Sequence, residues 1–370
     1  MEFSIDRSEL LESLALTQGV VERRNTLPIL ANVLLEATGE TDLNVVATDL
    51  EVHISRSCKA NVRSPGAATV GARKLYEFVR ELRPGDVTLR LLDNQFVEVS
   101  AGRSRVRLVG LPAADFPAFP RGEERPEATL TMPAEQLARL IDLTLFAVST
   151  DETRAHLGGV YLCGGEGVVR FVGTDGHRLA LAEQLVKGAV LTSQGIILPR
   201  KGLAELRKIL DSGEGDARLI TGANAVRVDH RGVQIVMRLI DGEFPNYEQV
   251  IPKSTRFQIA VEKSELLSAL KRVSVVASDR ARGVKLSMSP DQLLVSASSP
   301  DHGDASEEIA TTYSGDEMTV GFNARYLTDV LTVLPDGVTV EIGLSDDVSP
   351  GVVRKRDDEN YSYVVMPMRL

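Results

Sequence analysis

An amphipathic helix pattern recurs three times along this chain, and a chain built on such a repeat folds as several similar bodies, not around one large core. The pattern is plainest in Leu198-Pro-Arg-Lys-Gly-Leu-Ala-Glu-Leu-Arg-Lys-Ile-Leu210, where Leu203, Leu206 and Leu210 form an i, i+3, i+7 apolar stripe. Leu75, Phe78 and Leu82 carry the same stripe in the first third of the sequence, and Leu327, Val330 and Leu334 carry it in the last. A glycine stop follows each copy, at Gly85, Gly213 and Gly337. A second helix repeats independently over 8–21, 134–147 and 264–277, aligned on Leu11, Leu137 and Leu267 and again on Leu14, Leu140 and Leu270. Between the two helices a strand-like run ends in the same dipeptide twice, in Val45-Val-Ala-Thr-Asp49 and Phe171-Val-Gly-Thr-Asp175. The third copy keeps the run, Leu293-Leu-Val-Ser-Ala297, but follows it with Ser-Ser-Pro-Asp, so the repeat is clear in the first two copies and degraded in the third.

At 370 residues the chain suits three domains. Two stretches of similar make-up, the Pro-rich Leu111-Pro-Ala-Ala-Asp-Phe-Pro-Ala-Phe-Pro120 and Asp241-Gly-Glu-Phe-Pro-Asn-Tyr-Glu-Gln-Val-Ile-Pro252, interrupt strand pairing and mark domain exits. The expected domains are residues 1–126, 127–256 and 257–370. Each reads as helix, strands, helix, strands, which predicts an α+β fold with two helices on one face of antiparallel sheet. No apolar run is long enough to cross a bilayer, and the acidic start Met-Glu-Phe-Ser-Ile-Asp does not resemble a signal peptide. Cys58 and Cys163 lie in different repeats, which argues against a disulfide framework or a cysteine metal site, and a reduced, cytoplasmic protein is expected.

A net charge of −10 argues against nucleic acid until its distribution is considered. Residues 73–83 carry Arg73, Lys74, Arg80 and Arg83 against Glu77 and Glu81, and residues 200–211 carry Arg200, Lys201, Arg207 and Lys208 against Glu205 and Asp211. Two helices are therefore positive in an acidic chain, although a solvated helix face explains each of them taken alone. Thr174-Asp-Gly-His-Arg178 is the most enzyme-like fragment, yet Asp-Gly is also a common tight-turn pair. His53, His156, His230 and His302 have no metal-ligand spacing, and there is no phosphate-binding glycine loop. Catalytic residues, a metal and a cofactor are not expected.

Thr26-Leu-Pro-Ile-Leu-Ala-Asn32, Thr174-Asp-Gly-His-Arg-Leu179, Pro199-Arg-Lys201, Phe244-Pro-Asn-Tyr247 and Val364-Val-Met-Pro-Met-Arg-Leu370, in that order over a threefold repeat, resemble the bacterial DNA polymerase III beta subunit, the sliding clamp. The resemblance implies the DNA clamp fold: three similar domains, each with two helices on the inner face of antiparallel sheets, joined head to tail with a second copy into a ring around duplex DNA. It implies a non-catalytic processivity factor. A simple estimate agrees: six helices at about 10 Å spacing enclose a pore too narrow for a duplex, and twelve leave about 28 Å. The other readings are a monomeric repeat scaffold that does not bind DNA and a hydrolase built on His177 and Asp175.

Three sets of residues follow from the resemblance. Arg24, Arg73, Arg80, Arg154, Arg200, Lys201 and Arg207 are expected to touch phosphates of double-stranded DNA without reading sequence. At the dimer joint, Lys74, Phe78, Val106 and Leu108 are expected to face Val275, Val276 and Glu307, with Asp304 compensating for an acidic residue that the family often has near Gly303. Leu157, Thr174, Gly176, His177, Arg178, Leu179, Pro245, Val250, Val364, Met366, Pro367 and Met368 are expected to line a groove. That groove takes short linear peptides of the polymerase III catalytic subunit, the clamp loader, other DNA polymerases and mismatch-repair proteins. The chain departs from the family at Ala155-His156, where tyrosines can stand, and at Gln249, where an arginine often lies. With no nucleotide-binding motif, a separate ATP-driven loader is implied, and no membrane partner is expected.

Overall fold

The computed structural model describes residues 1–21, 27–118, 127–165, 167–187, 195–278, 282–313 and 315–369. The first repeat runs β1 (Glu2–Asp6), α1 (Arg7–Thr17), β2 (Asn32–Thr38), β3 (Asp42–Thr48), β4 (Val52–Lys59), β5 (Asn61–Ser64), β6 (Gly66–Gly71), α2 (Ala72–Glu81), β7 (Asp86–Leu91), β8 (Phe96–Ala101) and β9 (Ser104–Val109). The second runs β10 (Ala128–Pro133), α3 (Ala134–Thr144), β11 (Gly159–Gly165), β12 (Val168–Thr174), β13 (Arg178–Leu185), β14 (Ile196–Pro199), α4 (Arg200–Ile209), β15 (Asp216–Thr221), β16 (Ala225–His230) and β17 (Val233–Arg238). The third runs β18 (Phe257–Glu262), α5 (Lys263–Val273), β19 (Gly283–Ser289), β20 (Gln292–Ser299), β21 (Gly303–Ala310), β22 (Met318–Asn323), α6 (Ala324–Val333), β23 (Thr339–Leu344), β24 (Gly351–Lys355) and β25 (Tyr361–Val365). Apart from β5, the third repeat has the same elements in the same order as the first, so its degradation is confined to one turn.

The helices start from strands, which the helix-first reading of the sequence missed. β1, β6, β10, β14, β18 and β22 each run directly into a helix, and strands this short leave little alternation before the helical period takes over. Asp6 closes β1 and caps α1, accepting the Ser8 amide at 2.8 Å, and Glu262 does the same for α5 through the Glu265 amide at 2.9 Å. The first helix of each repeat is shorter than expected: α1 stops at Thr17, α3 gives way to a 3-10 turn over Leu145–Ala147, and α5 stops at Val273. The last strand ends at Val365.

Every strand pair is antiparallel, and the sheet orders repeat. Each repeat makes one four-strand set before its second helix (β6-β2-β3-β4, β14-β11-β12-β13, β22-β19-β20-β21) and another from its remaining strands (β1-β7-β8-β9, β10-β15-β16-β17, β18-β23-β24-β25), to which β5 adds beside β1 in the first repeat. β4 joins β17 to make one eight-stranded sheet, and β13 joins β25 to make another. Ile54 faces Ile235 across the first of these seams, and Ala180 faces Tyr363 across the second. The chain accordingly divides into two compact units, one built on Met1–Ala138 and Lys201–Leu239, the other on Arg139–Lys187, β14 and Ile240–Leu370.

In the first unit, α1 and α2 pack Leu10, Leu14, Leu75 and Val79, all fully buried, against Phe3, Val33, Val45, Val87 and Val99 of two sheets. Burying side chains of this size stabilises the fold by about 1.5–3 kcal/mol each. The apolar stripes behave as expected in α4 and α6, but Phe78 of α2 is only half-buried, and the adjacent Val79 takes its place in the core. Arg7 reaches from the start of α1 to the Val79 and Arg80 carbonyls, capping the end of α2.

The turn after the third strand keeps one device in all three repeats. Thr48, Thr174 and Ser299 each accept, through the side-chain hydroxyl, the amide two residues on, at 3.0, 3.1 and 3.3 Å. Gly176 meets this turn at φ 87°, where glycine carries no steric cost, whereas Leu50 holds the same place in the first repeat at φ 81°.

Candidate functional site

In the second unit the Thr174-Asp-Gly-His-Arg178 turn, the end of β25 and the segment after β17 enclose a groove of about 160 Å³. Two residues hold the turn rigidly. The Thr174 hydroxyl donates to the Arg178 carbonyl at 2.6 Å, and Asp175 Oδ1 accepts the His177 and Arg178 amides at 2.9 and 3.1 Å. β25 lies beside it with Leu179 opposite Val364, and the Met366 amide donates to the His177 carbonyl at 2.9 Å, carrying the pairing one step past the strand. The third wall is fixed by Phe244, stacked on Tyr161 at 4.7 Å between ring centroids, and by Tyr247, whose hydroxyl lies 3.6 Å from Cys163 Sγ. Buried Val172, Leu179 and Val364 form the apolar floor.

The structure brings Leu157, Thr174, Gly176, His177, Arg178, Leu179, Pro245, Val250, Val364 and Met366 together around this one groove. It does not bring Pro367 and Met368 there. The Met368 amide donates to the Gly321 carbonyl at 2.8 Å, which draws the chain toward β22. Asn246 and Tyr247 line the groove and were missed, although both lie in the Phe244-Pro-Asn-Tyr247 motif already noted. A volume this small holds a few side chains of an extended peptide and is below the usual range for a small-molecule site.

The hydrolase reading fails on geometry. Asp175 is committed to the two turn amides and to Arg178 Nε at 3.0 Å, while the His177 ring lies 6.5 Å from the Tyr326 ring at an interplanar angle of 18°. Burial pushes the Cys163 thiol up, which keeps it in the protonated, unreactive form. Among the described residues no group of three or more His, Cys, Asp or Glu side chains is arranged to hold a metal ion.

The cationic helices carry their charges in exchangeable pairs. On α2, Arg73 and Lys74 share Glu77 at 2.7 and 2.8 Å, holding its carboxyl below the ordinary range, and Arg80 meets Glu81 at 3.1 Å. On α4, Arg207 pairs with Asp211 at 2.6 Å, and Lys201 pairs with the buried carboxylate of Asp49. Arg154 meets Asp151 at 3.2 Å, and Arg200 is exposed at the start of α4. Arg24 lies outside the described residues. The exposed pairs among these contribute at most about 1 kcal/mol each, so a phosphate displaces their carboxylates at little cost, whereas Lys201 is held by a buried one.

Two sheet edges make up the last element. β9 and β21 have the positions in their repeats that β17 and β25, or β4 and β13, have at the two seams, yet each ends its sheet without a partner among the described strands. Val106 and Leu108 turn half-buried toward the core, while Arg105 and Arg107 are exposed and reach Glu98 at 3.8 and 3.0 Å. β21 is acidic, with Asp304, Glu307 and Glu308; Arg272 grips Glu307 at 2.5 and 2.8 Å. Val275 is 78% exposed just after α5, and Val276 is half-buried beside it. Arg105 and Arg107 were missed in the sequence, where the alternation Arg103-Ser-Arg-Val-Arg107 was the available signal.

Models of the DNA polymerase III beta subunit match the whole architecture: its N-terminal domain over residues 1–120, its central domain over 131–246 and its C-terminal domain over 248–369. The chain belongs to the DNA polymerase III beta subunit family. It is 38% identical to the beta sliding clamp of Caulobacter vibrioides and 36% identical to that of Escherichia coli, with all of each chain covered. A crystal structure of the DNA polymerase III subunit beta from Pseudomonas aeruginosa superposes with a TM-score of 0.94 at 37% identity, again over all of both chains. The beta subunit family is one of non-catalytic processivity factors, and the chain is a member of it, not an enzyme. Among the described residues no helix is long and apolar enough to cross a membrane.

Proposed function

We propose that two copies of this chain close head to tail into a ring that encircles double-stranded DNA and tethers DNA polymerase III and its partners through the groove. The observation that carries the reading is the unfinished third seam. Two of the three places where a repeat's last strand meets the fourth strand of the preceding set are filled within the chain, and at the third, β9 and β21 have no such partner among the described strands. By that equivalence β9 pairs antiparallel with β21 of a second copy. Val99 and Ala297 face Val106 and Ala305 in their own hairpins as Val228 and Ala47 face Ile235 and Ile54. Val106 therefore lies opposite Ala305 of the partner subunit, and Arg107 opposite the partner's Asp304. Lys74, Phe78 and Leu108 flank this joint on one side and Val275, Val276 and Glu307 on the other. The half-buried position of Phe78 supports its role there, since the equivalent Leu206 and Val330 are core residues.

The domains are residues 1–126, 127–256 and 257–370, and the protein works in the cytoplasm, where the replication machinery is. Arg24, Arg73, Arg80, Arg154, Arg200, Lys201 and Arg207 touch phosphates in any sequence, so the ring is held by its topology more than by affinity. Partner proteins insert the apolar side chains of a short linear motif between Leu179, Val364, Val250 and Met366. His177 and Asn246 offer polar contacts at the rim. Met366 and Val250, 40% and 42% exposed, give a soft apolar lip able to accept several partners.

A fluorescent peptide of the Gln-x-x-Leu-Phe type tests the groove. Met366→Ala combined with Leu179→Ala, or removal of residues 366–370, is expected to weaken its binding by at least about 2 kcal/mol, the scale of an interface hot spot, and to leave the dimer intact. Unchanged affinity in both variants moves the partner site elsewhere.

A further inference from the structure

The Arg178 side chain, although it borders the groove, is spent inside the protein. Its guanidinium is 7% exposed and donates from Nε to Asp175 Oδ2 at 3.0 Å, from Nη2 to the Phe146 carbonyl at 2.7 Å, and from Nη1 to Asp329 Oδ2 at 2.6 Å. It also lies over the Tyr326 ring at 4.5 Å. A cation so placed has little left to offer a ligand. Its second carboxylate comes from α6, and Asp329 is not on the groove wall.

We infer that Asp329 is a positioning residue for the partner groove, acting through Arg178 and Asp175 on the turn that presents Gly176 and His177. The chain of contacts is short. Asp329 fixes Arg178, Arg178 fixes Asp175, and Asp175 holds the amides of His177 and Arg178. Asp329 also approaches Arg325 on its own helix, but at 3.9 Å and in the open, so the buried pair at 2.6 Å sets its orientation. Without Asp329 the buried guanidinium keeps a single carboxylate, Asp175, and turns toward it, which alters the turn against which a bound peptide packs.

This inference rests on the groove reading above, and its test separates the two. Asp329→Ala, a substitution that favours helix, is expected to weaken the labelled Gln-x-x-Leu-Phe peptide about tenfold and to speed hydrogen exchange at the amides of residues 175–178. Asp329→Glu, which keeps the carboxylate, is expected to restore both to within about threefold of the unmodified chain. Unchanged affinity and exchange in Asp329→Ala overturn the inference, and so does a loss that Asp329→Glu fails to rescue. If the unmodified chain binds no such peptide, the groove reading falls, and exchange at residues 175–178 alone decides whether Asp329 holds the turn.

Discussion

With Arg105 and Arg107 both replaced by Glu, the chain is expected to run in light scattering at its own mass of 40.1 kDa, where the unmodified protein runs at about twice that. Both arginines stand exposed on the outer face of β9, and in the proposed pairing they face the acidic β21 strand of a second copy, with Asp304, Glu307 and Glu308. Their acidic neighbour on β8, Glu98, is only 16% exposed, so reversing them also costs the fold of each chain, and urea unfolding of the variant reads that cost separately from the loss of the dimer. Across the seam the same change sets like charges face to face, which costs several kcal/mol per joint. A symmetric dimer contains each joint twice, so its dissociation constant rises by about a thousandfold or more. Adding Asp304→Arg to the doubly reversed chain recreates one opposite pair and recovers part of the dimer. No recovery places the register elsewhere, and a doubly reversed chain that remains dimeric shows that β9 is not the joint.

Stability is expected to fall by about 2 kcal/mol between pH 7.5 and pH 5, and His53 is the main cause. His53 lies on β4 at the first seam, opposite Val236 of β17, in the place that Leu179 occupies on the groove floor. Burial lowers its pKa from 6.5 to about 4. The folded state therefore keeps the imidazole neutral, while the unfolded chain takes up a proton as the pH drops below 6.5. The stability that His53 contributes is complete above that value and is lost progressively down to about pH 4, roughly 3 kcal/mol in all. The carboxylates with lowered values, Glu12, Glu77 and Glu307 among them, release stability only below about 4.5, so the window from 6.5 to 4.5 isolates the histidine. Urea unfolding of His53→Leu is expected to be nearly flat across that window. An equal slope in both proteins removes His53 as the cause.

The threefold architecture was legible because its signal is local. Leu203, Leu206 and Leu210 sit on one helix face whatever surrounds them, and the glycine stops at Gly85, Gly213 and Gly337 all adopt positive φ. The strands that launch the helices were hidden because Glu2–Asp6 and its counterparts are too short to show alternation before the helix begins. Phe78 reads as core from its spacing alone, and only the tertiary packing reveals that Val79 has that place. The groove was legible through family motifs, whereas the arrest of Met368 on Gly321 depends on a hydrogen bond between distant segments. Arg178 shows the limit most clearly. Its neighbour in sequence is His177, but its decisive partner, Asp329, is 151 residues away. The open edges β9 and β21 carry only an excess of arginine on one and of acid on the other, and in the proposed ring the strand that completes each belongs to another molecule.

Encirclement is tested most directly by loading the protein onto closed circular DNA with an ATP-driven clamp loader and washing in salt of about 0.5 M, where phosphate contacts alone are screened. The ring reading predicts that the protein stays on the intact circle through the wash and leaves once a single cut makes the DNA linear. Equal loss from circular and linear DNA in that wash contradicts it.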